Sequence, residues 1–305
     1  MQHITDDMID AAVSPQEAQQ VLLEAFRSFG HGQAAMQERI RTEAEGVKLS
    51  TLGAVIPEQK VAGAKVYTTI KGQFTFVIVL FSTIDGRALA TFDAGAITRL
   101  RTAACTMIAA RHLARPASRQ MALFGAGVQG RAHAVQMAQA YELDEIRVCD
   151  PFAGPGLAAE LQRQCGRPVR LCGADEAVAG ADIVVTASRS TTPLFTGDQL
   201  KAGCFVAAIG SSLPHTRELD DRALERAACI AVEWKPQTLR EAGDLVLARP
   251  GLVSEDKLVE LGALVNGAAP GRQDDAAITL YKSVGVGLED VALAGLAWLR
   301  IHAGA

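Results

Sequence analysis

The sequence predicts an α/β protein of two domains: a doubly wound parallel sheet, preceded by an α+β domain with an antiparallel sheet. Three observations carry that prediction. From residue 37 to residue 93, apolar stretches of strand length follow one another with only turn signals between them, Glu45-Gly46, Lys71-Gly72 and Asp85-Gly86. From Met121 onward, strands alternate with helical or loop material, the pattern of parallel strands joined by right-handed crossovers. Where the second pattern begins, Met121-Ala122-Leu123-Phe124 runs into Gly125-Ala126-Gly127-Val128-Gln129-Gly130 and a helical pattern from Arg131.

Taken in order, the elements are as follows. Ser14-Pro15-Gln16-Glu17 is a helix start, with a Ser cap, Pro at the first helical position and a Glu able to reach back. Val21, Leu22, Ala25, Phe26 and Phe29 repeat at helical spacing until Gly30 ends the run. Strands are expected at residues 37–43, 47–52, 62–69, 74–82 and 88–92, as an antiparallel meander. An Ala-rich helix follows from Gly95 to Arg115, where Pro116 terminates it. Parallel strands are expected at 121–124, 146–150, 169–172, 182–186, 205–209 and 229–232. A further strand is expected at 278–283. The helix from Glu289 to His302 is apolar on most faces and must be buried; Glu289 and Asp290 sit at its positive end, favourably for the helix dipole. The expected domains are residues 1–115 with 286–305, and residues 116–285.

Composition narrows the function classes. At 305 residues, 49% of them apolar, the chain can bury two cores of ordinary size. A net charge of -4 and scattered Lys and Arg give no reason to expect a nucleic-acid partner. The longest apolar stretch, Phe74 to Phe81, falls far short of the roughly 20 residues that span a bilayer, so no membrane partner is expected. The polar, acidic N-terminus is unlike a secretory signal, and a cytoplasmic location is expected. Six cysteines without a C-x-x-C pair are read as buried free thiols, and six dispersed histidines give no metal site.

The glycine motif has a physical reading. Its first Gly permits the strand-to-helix turn, the second lets backbone approach a pyrophosphate, and the third lets helix pack close to strand. The helix N-terminus then faces the anion. The next apolar strand, Glu145 to Cys149, ends in Asp150, at about the 20-residue interval expected for a ribose-binding carboxylate. Such a carboxylate accepts hydrogen bonds from the 2′ and 3′ hydroxyls and repels a 2′-phosphate, which favours NAD. Arg147 and Arg163 lie close in sequence and keep NADP open as the alternative.

Four cations stand out in the first domain. Arg39 and Arg41 alternate in one expected strand and so share a face, and Lys65 lies in the strand Ala62-Gly63-Ala64-Lys65-Val66-Tyr67. Arg101 lies in the Ala-rich helix, where a guanidinium is costly unless an anion meets it.

Ile97-Thr98-Arg99-Leu100-Arg101-Thr102-Ala103-Ala104, the helix on to His112-Leu113-Ala114, and Gly125-Ala126-Gly127-Val128-Gln129 resemble the ornithine cyclodeaminase/mu-crystallin family. Ala181 to Thr186, Ala208-Ile209-Gly210, Arg217-Glu218-Leu219-Asp220, Lys282-Ser283-Val284-Gly285 and Glu289-Asp290 extend the resemblance over nearly the whole chain. It implies a homodimer whose N-terminal substrate and dimerisation domain recruits the C-terminal helix, with a small amino or imino acid held between that domain and a nicotinamide. By position, Arg39 or Arg41, Lys65 and Arg101 would bind the substrate carboxylate, with Val284 also on the substrate. Arg101, Thr102, Gly125, Gly127, Val128, Gln129 and Gly130 would hold the cofactor, Val128 and Gln129 along its pyrophosphate. Asp150 would meet the adenosine ribose, Ser188 would lie beside the cofactor, Ile209 would also bind the cofactor, and Ser283 and Val284 would lie near the nicotinamide.

One departure decides the expected chemistry. Cyclodeaminases of this family carry an aspartate two residues after the glycine matching Gly210, and here Ser212 stands in that place. A serine hydroxyl is no carboxylate base near neutral pH and offers a neutral hydrogen bond instead. The resemblance therefore points to the mu-crystallin side of the family, NAD(P)H-dependent reductases of cyclic ketimines such as pyrroline-2-carboxylate and piperideine-2-carboxylate. Lys65 or an ordered water is the expected proton donor to the imine, and Lys65 and Ser212 are the expected catalytic residues. The alternatives are an ornithine cyclodeaminase that releases ammonia, an amino-acid or opine-type dehydrogenase on the same scaffold, and a non-catalytic binder of small acids or cofactor.

Overall fold

The computed structural model describes residues 1–303, and the chain divides into two compact units. The first runs from Met1 to Cys105 and resumes at Gly285; the second is Thr106–Val284. The sequence reading put this boundary at residue 115, where the Ala-rich helix ends. The division instead falls within that helix, whose later residues bond inside the second unit: Thr106 Oγ1 meets His133 Nε2 at 2.9 Å, and Ala110 O accepts from Tyr141.

The first unit opens with β1 (Gln2–Ile4) and α1 (Asp6–Ala12), two elements not expected from the sequence. Ile4 is fully buried, and Thr5 caps α1 through the Met8 N–H. Next comes α2 (Pro15–Gly30), where the capping box forms as expected: the Glu17 N–H donates to Ser14 Oγ, and the Ser14 N–H donates to Glu17 Oε2. The strands β2 (Ala35–Met36), β3 (Ile40–Ala44), β4 (Val47–Ile56), β5 (Val61–Ile70), β6 (Gln73–Ser82) and β7 (Ala88–Asp93) then build a seven-stranded sheet ordered β1-β7-β6-β5-β4-β2, with β3 also on β4. The meander is antiparallel as expected except at its edge, where β1 lies parallel to β7. β2 and β3 pair with successive stretches of one edge of β4, and the chain leaves the sheet between them. Arg39 falls in that break, not in a strand as expected.

The helix α3 (Gly95–Leu113) follows, its start capped from a distance by Asp6, whose Oδ1 accepts from the Ala96 N–H at 2.8 Å.

The second unit contains β8 (Gln120–Phe124), α4 (Val128–Ala140), β9 (Glu145–Cys149), α5 (Leu157–Cys165), β10 (Val169–Leu171), α6 (Ala174–Val178), β11 (Ile183–Thr186) and β12 (Phe205–Ala208). It continues with α7 (Asp221–Arg226), β13 (Ala227–Val232), α8 (Lys235–Glu241), α9 (Gly243–Val246), β14 (Leu258–Glu260), α10 (Leu261–Val265) and β15 (Ile278–Lys282). The eight strands are all parallel, in the order β10-β9-β8-β11-β12-β15-β13-β14. This is the expected doubly wound, Rossmann-type sheet. Its strand order reverses between β8 and β11, and ligands of such sheets bind at the C-terminal ends of the strands flanking that point. The central strands β11 and β12 are buried along their whole length, which requires the unbroken apolar runs seen in sequence.

The last helix, α11 (Gly287–His302), returns to the first unit and lies on one face of its sheet. Glycines allow the approach: a Cβ on Gly287 would lie 2.5 Å from Gly53 O, and one on Gly295 would lie 3.2 Å from Val61. The face under α11 carries Leu52, Ala54, Ile56, Lys65, Ile78 and Leu80, all buried. The opposite face exposes Val47, Leu49, Val55, Ile70, Val77 and Phe81. An apolar sheet face of that extent is unusual on a protein that works alone.

No helix among the described residues is long and apolar enough to cross a membrane. All six cysteines are free as expected, but only Cys105 and Cys204 are fully buried; Cys149, Cys165, Cys172 and Cys229 are half-buried.

Candidate active site

In the first unit, sheet register puts the expected cations on one face. Arg41 pairs across to Ser50 and that to Tyr67, while Leu52 pairs to Lys65 and that to Ile78. The strand periodicity of two therefore keeps Arg41 and Lys65 on the same side, in neighbouring rows. Lys65 is 3% exposed. Its Nζ donates to Thr98 Oγ1 at 2.5 Å and to Asp290 Oδ1 at 3.2 Å, and it lies 4.7 Å from the centroid of the Phe76 ring. Burial pulls the Lys65 ammonium down from its ordinary range to about 8; Asp290 opposes that fall, while Arg101 and Arg39 add to it. The lysine thus titrates close to neutral pH, as expected for an ammonium desolvated among arginines.

Arg101 is 7% exposed, with Nη1 2.7 Å from Glu289 Oε2 and Nε 3.5 Å from Asp290 Oδ1. Glu289 and Asp290 are both fully buried. The sequence reading gave them a helix-dipole role only; here they are the counter-anions of the two buried cations. Arg39 donates from Nη2 to Gly285 O at 2.8 Å and acts electrostatically on Lys65. Gly285 has φ +75, and a Cβ there would lie 2.5 Å from Arg101 Nη1, so the left-handed glycine leaves room for the guanidinium. Thr102 turns its hydroxyl back to Thr98 O at 2.7 Å.

In the second unit the glycine loop follows β8 as the motif requires. Gly125 has φ +86, and a Cβ on it would lie 2.7 Å from Ala187 O in the segment after β11. Gly127 is the N-cap of α4 and has nothing within 4 Å of where its Cβ would be. A Cβ on Gly130 would stand 1.9 Å from Gly125 O, so only glycine lets α4 start against the loop. The first-turn N–H groups of α4, those of Val128 and Gln129 included, are the ones a helix leaves without intrahelical acceptors. Buried His133, held neutral down to about pH 4 by desolvation, fixes that turn through Nδ1 to Gln129 O at 2.7 Å. Since a carbonyl only accepts, the ring proton is on Nδ1 and Nε2 accepts from Thr106.

Asp150, at the end of β9, accepts from the Ala126 N–H at 2.8 Å and the Phe152 N–H at 2.9 Å, which fixes its carboxylate at the edge of the glycine loop. Arg147 does not reach that edge: its guanidinium serves Glu145, Gln120 and the carbonyls of Glu176 and Ala179. Open space beside Gly127, a helix N-terminus and a fixed carboxylate together fit a dinucleotide's pyrophosphate and ribose.

The remaining expected residues hang on buried acids that the sequence reading missed. Glu218, fully buried, accepts from the Ser188 N–H and Oγ, from Thr186 Oγ1 and from the N–H groups of Gly210 and Ser211. Burial raises its carboxyl, with Lys282 opposing. Asp244 receives the Glu218 and Leu219 N–H groups and pairs with buried Lys282 at 2.9 Å. Glu233 takes the Ser283 hydroxyl at 2.5 Å and the Val284 N–H at 3.1 Å. The Ser188 and Ser283 hydroxyls are thus committed to carboxylates, and Ile209, Ser283 and Val284 are buried. Ser212 is half-buried, and its hydroxyl has no hydrogen-bond partner among the described residues. Among those residues no group of three metal-ligating side chains occurs.

The chain as a whole is similar to known proteins. The sequence profile of the ornithine cyclodeaminase/mu-crystallin family matches residues 2–304. A Delta(1)-pyrroline-2-carboxylate reductase of Bacillus cereus is 33% identical over 257 residues, 83% of this chain and 76% of the relative. The crystal structure of a probable ornithine cyclodeaminase from Bordetella pertussis superposes with a TM-score of 0.97 at 62% identity, covering 100% of this chain and 98% of that one. The Delta(1)-pyrroline-2-carboxylate reductase of Thermococcus litoralis, solved with NADH and L-proline, superposes with a TM-score of 0.92 at 25% identity, covering 98% and 97%. The chain belongs to the ornithine cyclodeaminase/mu-crystallin family.

Proposed function

We propose that the protein is an NADH-dependent reductase of small cyclic ketimines of the pyrroline-2-carboxylate type. The observation that carries this reading is the buried Lys65, poised to titrate near 8 among Arg39, Arg101 and Asp290, together with a serine where a cyclodeaminase has its aspartate. The Bacillus cereus and Thermococcus litoralis relatives, named for that activity, support it.

Arg39 and Arg101 bind the substrate carboxylate, the fork of a guanidinium matching its two oxygens. Lys65 donates the proton that the imine nitrogen gains, and its low-lying titration makes it a competent donor at neutral pH. Ser212 offers the nitrogen side of the substrate a neutral hydrogen bond. The glycine loop and the α4 N-terminus hold the pyrophosphate of NADH, and Asp150 holds the adenosine ribose. The bound dinucleotide supplies the hydride. Asp150 at the loop edge, with Arg147 committed elsewhere, favours NADH over NADPH. The Bordetella pertussis neighbour, described as a probable ornithine cyclodeaminase, keeps ammonia release from ornithine as the second reading.

The test is NADH oxidation by purified protein on addition of pyrroline-2-carboxylate or piperideine-2-carboxylate, with ornithine and ammonia detection in parallel. Turnover of a ketimine is expected, with kcat/KM falling about tenfold per pH unit above pH about 8, because the protonated form of Lys65 is the active one. Ammonia from ornithine with no ketimine turnover would reject the reading.

Gly127→Ala should raise the KM for NADH about tenfold or more while leaving the melting temperature unchanged, since the added Cβ meets only open space in the protein. An unchanged KM would remove the pyrophosphate from this loop.

The same reading includes a homodimer formed through the exposed sheet face of Val47, Leu49, Val55, Val77 and Phe81, whose apolar side chains suit burial against a second copy. Sedimentation at micromolar concentration should give twice the chain mass of 32.2 kDa, and Val77→Glu should give the single mass. A Val77→Glu protein that stays dimeric would place the interface elsewhere.

A further inference from the structure

We infer that Asp290 is a positioning residue that keeps Lys65 protonated at neutral pH, by sharing one carboxylate oxygen between the Lys65 ammonium and the Arg101 guanidinium. The link to catalysis rests on the proton-donor role proposed for Lys65; the control of Lys65 by Asp290 does not.

Each element around Lys65 contributes a group. β6 gives the Phe76 ring, whose face attracts a cation but carries no net charge. α3 gives the neutral Thr98 hydroxyl and the cationic Arg101. The break before β3 gives the cationic Arg39. α11 gives Asp290, with Oδ1 3.2 Å from Lys65 Nζ and 3.5 Å from Arg101 Nε, and beside it Glu289 on Arg101. A lysine buried beside two guanidinium groups is driven toward its neutral form by desolvation and by both charges. Asp290 is the anion in contact with Nζ that acts against all three.

Its placement is built in. Asp290 is fully buried in the first turn of α11, and Gly287 against Gly53 sets that turn on the sheet. The carboxylate is therefore not a surface charge that swings to whichever cation is near; it has one location. Oδ2 makes no hydrogen bond in the described structure, so the geometry favours Oδ1 toward the cations.

Asp290→Asn keeps the shape and removes the charge. The 13Cε shift of Lys65 in lysine-labelled protein, assigned by its loss in Lys65→Arg, reads the titration without any substrate. In Asp290→Asn the Lys65 midpoint should fall by about one pH unit or more, and the alkaline limb of kcat/KM should fall with it, activity returning as pH is lowered. Asp290→Glu restores an anion and should bring the midpoint back toward that of the parent. The inference is overturned if Asp290→Asn loses activity equally at every pH with the Lys65 midpoint unmoved, or if Asp290→Glu titrates as low as Asp290→Asn. Should the parent turn over no ketimine, the NMR titration still decides the role of Asp290, so failure of the reductase reading and failure of this one are separately visible.

Discussion

An ammonium and a guanidinium taken out of water must be met by anions, and the first unit is organised around meeting that requirement. Lys65 on β5 and Arg101 on α3 are brought to Glu289 and Asp290 at the head of α11, partners 188 to 225 residues apart in sequence. Breaking such a buried pair by removing one member typically costs about 3–5 kcal/mol, because the other charge is left uncompensated. Ion pairs of this kind contribute less to net stability than apolar packing of the same volume, so their presence argues for a chemical use. What they provide here is a cluster of fixed positive groups whose desolvation is already met before a ligand arrives, which is the condition for binding a small carboxylate tightly and for holding a lysine near its titration point.

The second unit solves a different problem with the same means. The backbone at its sheet ends is held by buried acids. Glu218 collects N–H groups and hydroxyls from the segments after β11 and β12, Glu233 holds the end of β15, and Asp244 with Lys282 braces Glu218 from behind. Hydroxyls that a sequence alignment would offer to the cofactor, those of Ser188 and Ser283, instead serve these acids. The role of these positions is to shape a surface, and the Ser212 hydroxyl, without a partner in the described structure, stands out against them.

How much of this was legible in sequence follows from how local each signal is. The glycine loop, its helix, the position of Asp150 at the end of the next strand and the Ser14-Glu17 capping box depend on residues a few positions apart, or on a strand and its next neighbour, and all could be read. So could most strands of both sheets, because the period of two and the unbroken apolar runs are written in single segments, whereas the three-residue edge strand β14 was not expected. β1 escaped notice because three residues at an edge carry no period, and the break that expels Arg39 escaped because β2 is only two residues long. The pairing of Lys65 with Asp290 could not be read at all: nothing local tells which distant cation a carboxylate will meet. A signal was nonetheless present. Two adjacent acids at the head of a helix that is apolar on most faces, and a lysine closing the apolar strand Ile278–Lys282, are charges in places where solvent would not reach, and such charges need partners.

The central claim is that the protein transfers hydride from NADH to an imine carbon. The most direct measurement is the fate of label from NADH carrying deuterium at both C4 positions, incubated with the protein and pyrroline-2-carboxylate, with the proline formed analysed by mass spectrometry. The account predicts one deuterium on the α-carbon of every proline molecule produced. Proline without deuterium, or ammonia release from ornithine while NADH is left unspent, would contradict it.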